Sequence, residues 1–130
     1  MKLGRLRKTD RLFTELMRKR QDFTCQKCGL KYVFDGVAVR SLQNLGVSHY
    51  FSRRHENTRY DPDNCILLCN LPCHQLWGHG EGRAEYKEFM IKKLGEDGLL
   101  LLEYKSQQYR KRDDKLTEFV LQEMLKEGKC

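Results

Sequence analysis

The sequence lacks any long apolar run. Its first residues, MKLGRLRKTD, do not form the apolar stretch of a secretory signal, and no later segment approaches the roughly 18 apolar residues of a membrane span. We therefore expect a soluble, cytoplasmic protein that has no membrane partner. Disulfides are disfavoured in that compartment, so the six cysteines are expected to bind metal rather than to cross-link the chain.

The chain also has little material for a large hydrophobic core. Of its 130 residues, 39% are hydrophobic and 33% are charged. No internal repeat or low-complexity linker interrupts it, so we predict a single domain over residues 1–130. A domain with this composition benefits from a staple in addition to packing.

Acidic residues are scarce in the first quarter of the chain. Residues 1–31 contain ten Lys or Arg and three Asp or Glu, whereas residues 32–130 contain fifteen of each. A basic arm of this kind attracts the phosphates of nucleic acid or, in some proteins, an acidic membrane surface. The alternative is a solvated face that aids solubility. Arg5, Arg7 and Lys8 are the candidate phosphate-binding residues of the arm.

The residue pattern predicts an α+β fold. Thr9 or Asp10 can cap a basic, amphipathic helix that ends near Arg20. Strands are predicted around KYVF, VAVRSL, LGVSHYF and NCILLC. The polar segment SRRHENTRYDPD is expected to be an exposed loop before the last of these strands.

Helices are predicted for the remainder of the chain. A short helix is predicted to start at PCHQLW, with Pro72 in its first turn, and the next helix should end at Gly95. The segment EDGLLLLEYKSQQYRKR predicts a further helix. The last helix should be capped at Asp113 or Asp114 and have apolar residues on one side. The members of that face are Leu116, Phe119, Val120 and Met124.

Two cysteine pairs have the spacing of zinc ligands. Cys25-x2-Cys28 and Cys69-x3-Cys73 are separated by forty residues, and each pair can form a turn that presents two thiolates. Together they predict one closed four-cysteine site with a structural Zn²⁺ that stabilises the fold. The alternative is a set of buried, apolar cysteines, which is our interpretation of Cys65 in the run ILL.

Four thiolates complete the coordination shell of zinc, yet the stretch NCILLCNLPCHQLWGH contains further metal-binding side chains. His49 ends the strand LGVSHYF, Asn64 starts the next strand, and His74 and His79 follow on the helical segment. This His-Asn-His order resembles the HNH nucleases, also called His-Me finger or ββα-metal nucleases. Many HNH domains carry zinc pairs that flank the motif.

The resemblance extends beyond the motif. The stretches TDRLFTELMRKRQDFTCQKCG, SHYFSRR and RYDPDNC, and the run from Cys73 through GH to EYK, resemble the phage recombination nucleases of the NinG type over roughly residues 8–95. The resemblance implies a ββα-metal core at 25–82, stapled by a four-cysteine zinc knuckle. A basic N-terminal helix (1–24) and C-terminal helices (83–130) flank this core.

The activity implied by the resemblance is that of a metal-dependent DNA endonuclease. It would hydrolyse phosphodiester bonds, by nicking, in phage DNA recombination or processing within the host cytoplasm. His49 would be the general base. Asn64 would pin the loop and orient His49. His74 and His79 would hold one catalytic divalent metal ion, Mn²⁺, Ni²⁺, Mg²⁺ or Zn²⁺.

Each of these assignments has a plainer alternative. Arg53 and Arg54 would clamp the phosphate with their forked donors, or they are an ordinary solvated pair. His74 is also a candidate zinc ligand, because it follows Cys73 directly. His55, in the polar loop, is interpreted as a surface or packing residue.

One feature of many HNH nucleases is missing from this chain. They place an Asp immediately before the base as a metal ligand, whereas this chain has Ser48. Two imidazoles without that carboxylate suit Mn²⁺, Ni²⁺ or Zn²⁺ better than Mg²⁺. Ser48 also favours the alternative function, a zinc-stabilised nucleic-acid-binding module without cleavage activity. A zinc-organised protein adaptor is a third hypothesis, and the basic arm weighs against it.

Overall fold

A computed structural model describes residues 7–78 and 81–127, which form a mixed α+β fold of five α-helices and two small antiparallel sheets. The helices are Lys8–Arg20 (α1), Glu56–Arg59 (α2), Gln75–Gly78 (α3), Arg83–Ser106 (α4) and Asp114–Glu127 (α5). The strands are Val33–Phe34 (β1), Val37–Ala38 (β2), Leu45–His49 (β3) and Cys65–Cys69 (β4). The predicted α+β class is confirmed.

The sheet of β3 and β4 lies at the centre of the fold. The two strands are antiparallel, with Leu45 opposite Cys69 and His49 opposite Cys65. All five residues of β4 are buried, as its uninterrupted apolar sequence indicates. Strand β3 ends at His49, and the long connection to β4 begins after this residue.

Helix α1 packs one apolar face into the core. Phe13, Leu16 and Met17 follow the i, i+3, i+4 spacing, and each is 1% exposed. The cap is Arg7 and not Thr9 or Asp10, and the backbone N–H of Arg7 donates to Asp10 Oδ2 at 2.8 Å. Asp10 is thus the third helical residue and not the residue before the helix, and it is buried.

The predicted helix end at Gly95 is confirmed, because α4 consists of two helical segments that meet at this glycine. This glycine interrupts the helical backbone with φ of 80°, in the left-handed region that glycine adopts without steric cost. Tyr86 and Met90 are buried before the interruption, and Leu99 and Leu102 are buried after it. Within residues 7–78 and 81–127, no helix has both the length and the apolar character needed to cross a membrane.

Helix α5 leaves most of its apolar side exposed. Its start agrees with the sequence, since Asp113 Oδ1 accepts from the backbone N–H of Leu116 at 3.1 Å. Leu121 is 2% exposed and is the buried residue of the helix, with Met124 partly buried beside the core. Three residues of the predicted face are instead exposed: Leu116, Phe119 and Val120.

The connection from β3 to β4 is not the exposed loop that its polar sequence predicted. It contains α2, and Thr58 and Arg59 within it are 0% and 7% exposed. Arg59 is buried because the Asp10 carboxylate neutralises it across a 2.7 Å ion pair. The prediction of an exposed loop was therefore wrong for its second half, which packs against α1.

Candidate metal centre and the cleft at His49

Four cysteine sulfur atoms converge beside the central sheet. Cys25 and Cys28 lie in the turns after α1, Cys69 ends β4, and Cys73 lies in the wide helical turn Asn70–His74. Their Sγ atoms all lie within 4.8 Å of one another, and those of Cys28 and Cys69 are 3.8 Å apart. Tetrahedral zinc with Zn–S bonds of about 2.3 Å requires S–S separations of about 3.8 Å. The cluster fits a structural metal such as zinc.

Hydrogen-bond donors surround these sulfur atoms. Cys25 Sγ accepts from the backbone N–H groups of Cys28 at 3.5 Å and Cys69 at 3.3 Å, and the Tyr32 hydroxyl donates to Cys69 Sγ at 2.9 Å. Burial opposes ionisation of Cys25, but the backbone donors outweigh it and lower the pKa to about 7. The donors therefore favour a thiolate, which is the form that binds zinc.

The pKa values of Cys73 and Cys65 are raised, in contrast to that of Cys25. Burial and the adjacent Cys25 and Cys28 raise the pKa of Cys73 to about 12. Several thiolates this close together repel one another, and a divalent cation between them removes that repulsion. Cys65 does not belong to the cluster; burial within β4 raises its pKa well above the usual range. It is an apolar core residue, as its sequence context predicted.

His49, at the end of β3, lines a second feature, an open cleft of about 700 Å³. Its Nε2 lies 2.9 Å from the carbonyl oxygen of Arg59. Burial lowers the pKa of His49 to about 4, although the bond to this carbonyl opposes the shift. The imidazole is therefore neutral at pH 7. Because a carbonyl only accepts, Nε2 carries the proton and Nδ1 retains a lone pair.

Asn64 ties together the connection that supplies this carbonyl. Its side chain is fully buried, and Oδ1 accepts from the backbone N–H of Phe51 at 2.9 Å. Its Nδ2 donates to the carbonyl of Phe51 at 2.9 Å and to that of Thr58 at 3.1 Å. Asn64 thus ties Phe51, at the start of the connection, to Thr58 in α2. Thr58 directly precedes Arg59.

His74 lines the same cleft as His49 and follows Cys73 directly. A Cβ atom at Gly78 would lie 3.3 Å from Cδ2 of His74, so glycine leaves room for the ring. Among the described side chains the metal cluster consists of cysteines alone, and His74 is not part of it. His79, the predicted partner of His74, lies outside the described residues.

Two arginines line the cleft, and the sequence indicated one of them. Both Arg53 and Arg54 are exposed, and Arg53 lines the cleft as expected, whereas Arg54 is not among the described residues that line it. Arg83, the first residue of α4, was missed. Its guanidinium lies 4.2 Å from the ring of Tyr50, and Nη2 donates to the Tyr50 carbonyl at 2.9 Å. These contacts fix a cation on the cleft.

The basic arm makes ion pairs with acidic side chains. Arg7 Nη1 donates to both carboxylate oxygens of Glu56 at 3.1 Å, and Lys8 Nζ lies 2.9 Å from Glu118. Arg5 lies outside the described residues. Lys8 is the more exposed of the two paired cations, because its side chain is 67% exposed and that of Arg7 is 16% exposed.

The described residues that line the cleft include no carboxylate that is available to a metal ion. Ser48, at the position where many HNH nucleases have Asp, is 1% exposed, and its hydroxyl lies 2.9 Å from that of Tyr86. Among the described residues that line the cleft, Asp10 is the only acidic one, and Arg59 neutralises it. The sequence alone predicts Asp10 to be a helix cap and Arg59 to be part of an exposed loop, and both predictions are wrong.

Comparisons with protein-family models, with curated proteins and with solved structures found no match to this chain.

Proposed function

We propose that the protein is a metal-dependent DNA endonuclease of the HNH, or His-Me finger, type that hydrolyses phosphodiester bonds in the cleft at His49. One observation carries the proposal. His49 and His74 line the same cleft, while Asn64 ties together the connection whose carbonyl bonds to His49. Two positions of the His-Asn-His order thus line one cleft, and the third holds the connection that bonds to His49.

The local chain path supports the finer assignment to a ββα-metal core. Strands β3 and β4 are antiparallel, and the turn Asn70–His74 and helix α3 follow β4 directly. His49 ends the first strand, and His74 ends the turn that leads into the helix. The cysteine cluster joins the turns after α1, which contain Cys25 and Cys28, to the end of β4, as a zinc knuckle would.

In the proposed reaction, His49 acts as the general base. Its Nδ1 has a free lone pair, because Nε2–H donates to the Arg59 carbonyl and fixes the tautomer. This nitrogen would accept a proton from the water that attacks phosphorus. The low pKa of His49 keeps the imidazole neutral throughout the physiological range.

His74, together with His79, would hold the catalytic cation. A divalent ion there would stabilise negative charge on the scissile phosphate and on the leaving oxygen. Imidazole nitrogens suit Mn²⁺, Ni²⁺ or Zn²⁺ better than Mg²⁺, and the carboxylate of Asp10 is committed to Arg59. We therefore expect the protein to prefer Mn²⁺ or Ni²⁺ over Mg²⁺.

Arg53 and Arg83 would bind the DNA phosphates beside the scissile bond. A guanidinium presents a planar fork of donors that matches two phosphate oxygens. Arg83 is held in advance by Tyr50, so less side-chain freedom is lost when phosphate binds. A role in phage DNA recombination or processing, in the host cytoplasm, rests on the resemblance to the NinG-type nucleases.

A zinc-stabilised nucleic-acid-binding module without cleavage activity is the second candidate. The observation that favours it is the burial of Ser48 and the neutralisation of Asp10, which leave the described part of the cleft without a carboxylate available to a metal ion. In that case Arg53 and Arg83 would bind phosphate, and the imidazoles would only contribute to packing.

Incubation of the protein with supercoiled plasmid and Mn²⁺ separates the two candidates. The endonuclease converts the plasmid to the nicked form, and EDTA stops the conversion while the cysteine-bound zinc is retained. The binding module shifts the plasmid in a gel and leaves it supercoiled. Intact plasmid with every divalent ion tested (Mn²⁺, Ni²⁺, Mg²⁺ and Zn²⁺) would contradict the proposed function.

A further inference from the structure

A buried ion pair lies directly behind His49. Arg59 Nε donates to Asp10 Oδ1 at 3.0 Å, and Nη2 donates to Oδ2 at 2.7 Å, so both carboxylate oxygens are engaged by one guanidinium. The two side chains are 9% and 6% exposed. They are separated by 49 positions in the sequence and join α1 to the end of α2.

Both members of the pair are fixed by further hydrogen bonds. Asp10 accepts from the Arg7 backbone N–H at 2.8 Å and from the Tyr60 hydroxyl at 2.8 Å. The remaining guanidinium nitrogen of Arg59, Nη1, donates to the carbonyl of Arg53 at 3.0 Å. One arginine side chain therefore attaches both ends of the segment 53–59 to α1.

The backbone of this same arginine holds the histidine. The carbonyl of Arg59 is the acceptor for His49 Nε2, so the position of that peptide decides the orientation and the tautomer of the imidazole. The charged groups that face His49 are Arg53, Arg59 and Asp10, and Asp10 is the only anion among them. Removal of its charge would leave the Arg59 guanidinium buried without a counterion and free to pull the peptide away.

From this geometry we propose that Asp10 and Arg59 are positioning residues for His49, and that helix α1 holds the candidate base in place through them. The inference rests on the proposed nuclease function. A buried ion pair contributes little net stability compared with apolar residues of similar size, so stability alone does not account for one here. The pair instead specifies where one carbonyl group lies.

The test compares Asp10→Asn with Glu56→Gln. Both variants remove a carboxylate from an ion pair that joins the N-terminal end of α1 to α2. The described hydrogen bonds and ion pair of the Glu56 carboxylate go to Arg7, and not to Arg59 or His49. We expect Asp10→Asn to lower kcat for plasmid nicking about 100-fold with KM within about 2-fold, because a shift of about 1 Å in a reacting group has that effect. Glu56→Gln should retain wild-type kcat.

A second readout does not depend on cleavage. In the wild type, the imidazole ¹⁵N NMR spectrum of His49 should show the Nε2–H tautomer alone, and Asp10→Asn should show both tautomers. Arg59→Lys keeps the charge but cannot reach both Asp10 oxygens and the Arg53 carbonyl, so its kcat should also fall; it serves as the test if Asp10→Asn does not fold. Wild-type kcat in a folded variant, or an unchanged tautomer in Asp10→Asn, would overturn the inference. If wild-type protein does not nick DNA, the proposed function fails and the NMR comparison still decides whether Asp10 positions His49.

Discussion

The cysteine cluster and the His49 cleft are assembled from the sequence in opposite ways. The cluster uses two pairs of closely spaced cysteines, and its four sulfur atoms lie within 4.8 Å of one another. The cleft depends on partners that are far apart in the sequence, such as Asp10 and Arg59 or Tyr50 and Arg83. The cluster can hold the fold together, whereas the cleft arranges neutral and cationic groups around one histidine. Substitutions in the two regions should therefore affect different measurements.

The largest expected effect belongs to the cysteine cluster. Cys25→Ser removes the thiolate that three backbone N–H groups stabilise, and it should abolish stoichiometric zinc binding and lower Tm by at least about 10 °C, because a structural zinc ion contributes about 10 kcal/mol or more to folding. Metal analysis and thermal unfolding measure the two changes. Cys65→Ala is the matched control, since Cys65 is equally buried but lies outside the cluster. Full zinc occupancy in Cys25→Ser would disprove the assignment of this ligand.

A smaller effect of pH should arise from the cleft. The folded-state pKa of His49, about 4, lies below the ordinary value of 6.5, so the unfolded chain binds a proton that the folded chain does not. Stability is therefore unaffected by this group well above pH 6.5, and it falls as the pH drops from about 6.5 toward about 4.

Chemical unfolding at pH 7 and pH 5.5 isolates this contribution. The free energy of unfolding should fall by about 1 kcal/mol more in the wild type than in His49→Gln over this interval. The difference between the two proteins removes any loss of zinc that both share. An identical change in both proteins would show that His49 is not buried in the neutral form.

How much could be predicted from the sequence also differs between the two regions. The cysteine pairs were identified because ligand spacing is a local property of the chain. Asp10 and Arg59 were misassigned because local polarity suggested a cap and an exposed loop, whereas each buries the charge of the other across 49 positions. Arg83 carried no sequence signal, since its place on the cleft depends on Tyr50. The sequence of α5 shows which of its residues are apolar. It does not show that Leu121 is the one that the rest of the fold buries, because that depends on distant segments.

The smallest expected effect concerns Arg83. Replacement by Ala should weaken DNA binding without loss of zinc or stability, and it should reduce the slope of log K against log salt by about one phosphate contact. Lys126→Ala is the control, because Lys126 is an exposed cation paired with Glu123 at 3.1 Å and is not among the residues lining the cleft. Equal salt slopes in the wild type and Arg83→Ala would show that this arginine does not contact phosphate.

The most direct test of the proposed activity compares His49→Ala with His55→Ala in the plasmid-nicking assay. Both substitutions remove an imidazole from the same part of the chain, but only His49 lines the cleft. We predict that His49→Ala reduces the nicking rate by about 100-fold or more, because a general base typically contributes 10²-fold to 10⁴-fold, while zinc content and DNA affinity stay at the wild-type level. His55→Ala should nick at the wild-type rate. Nicking by His49→Ala at the wild-type rate would contradict the assignment of His49 as the base.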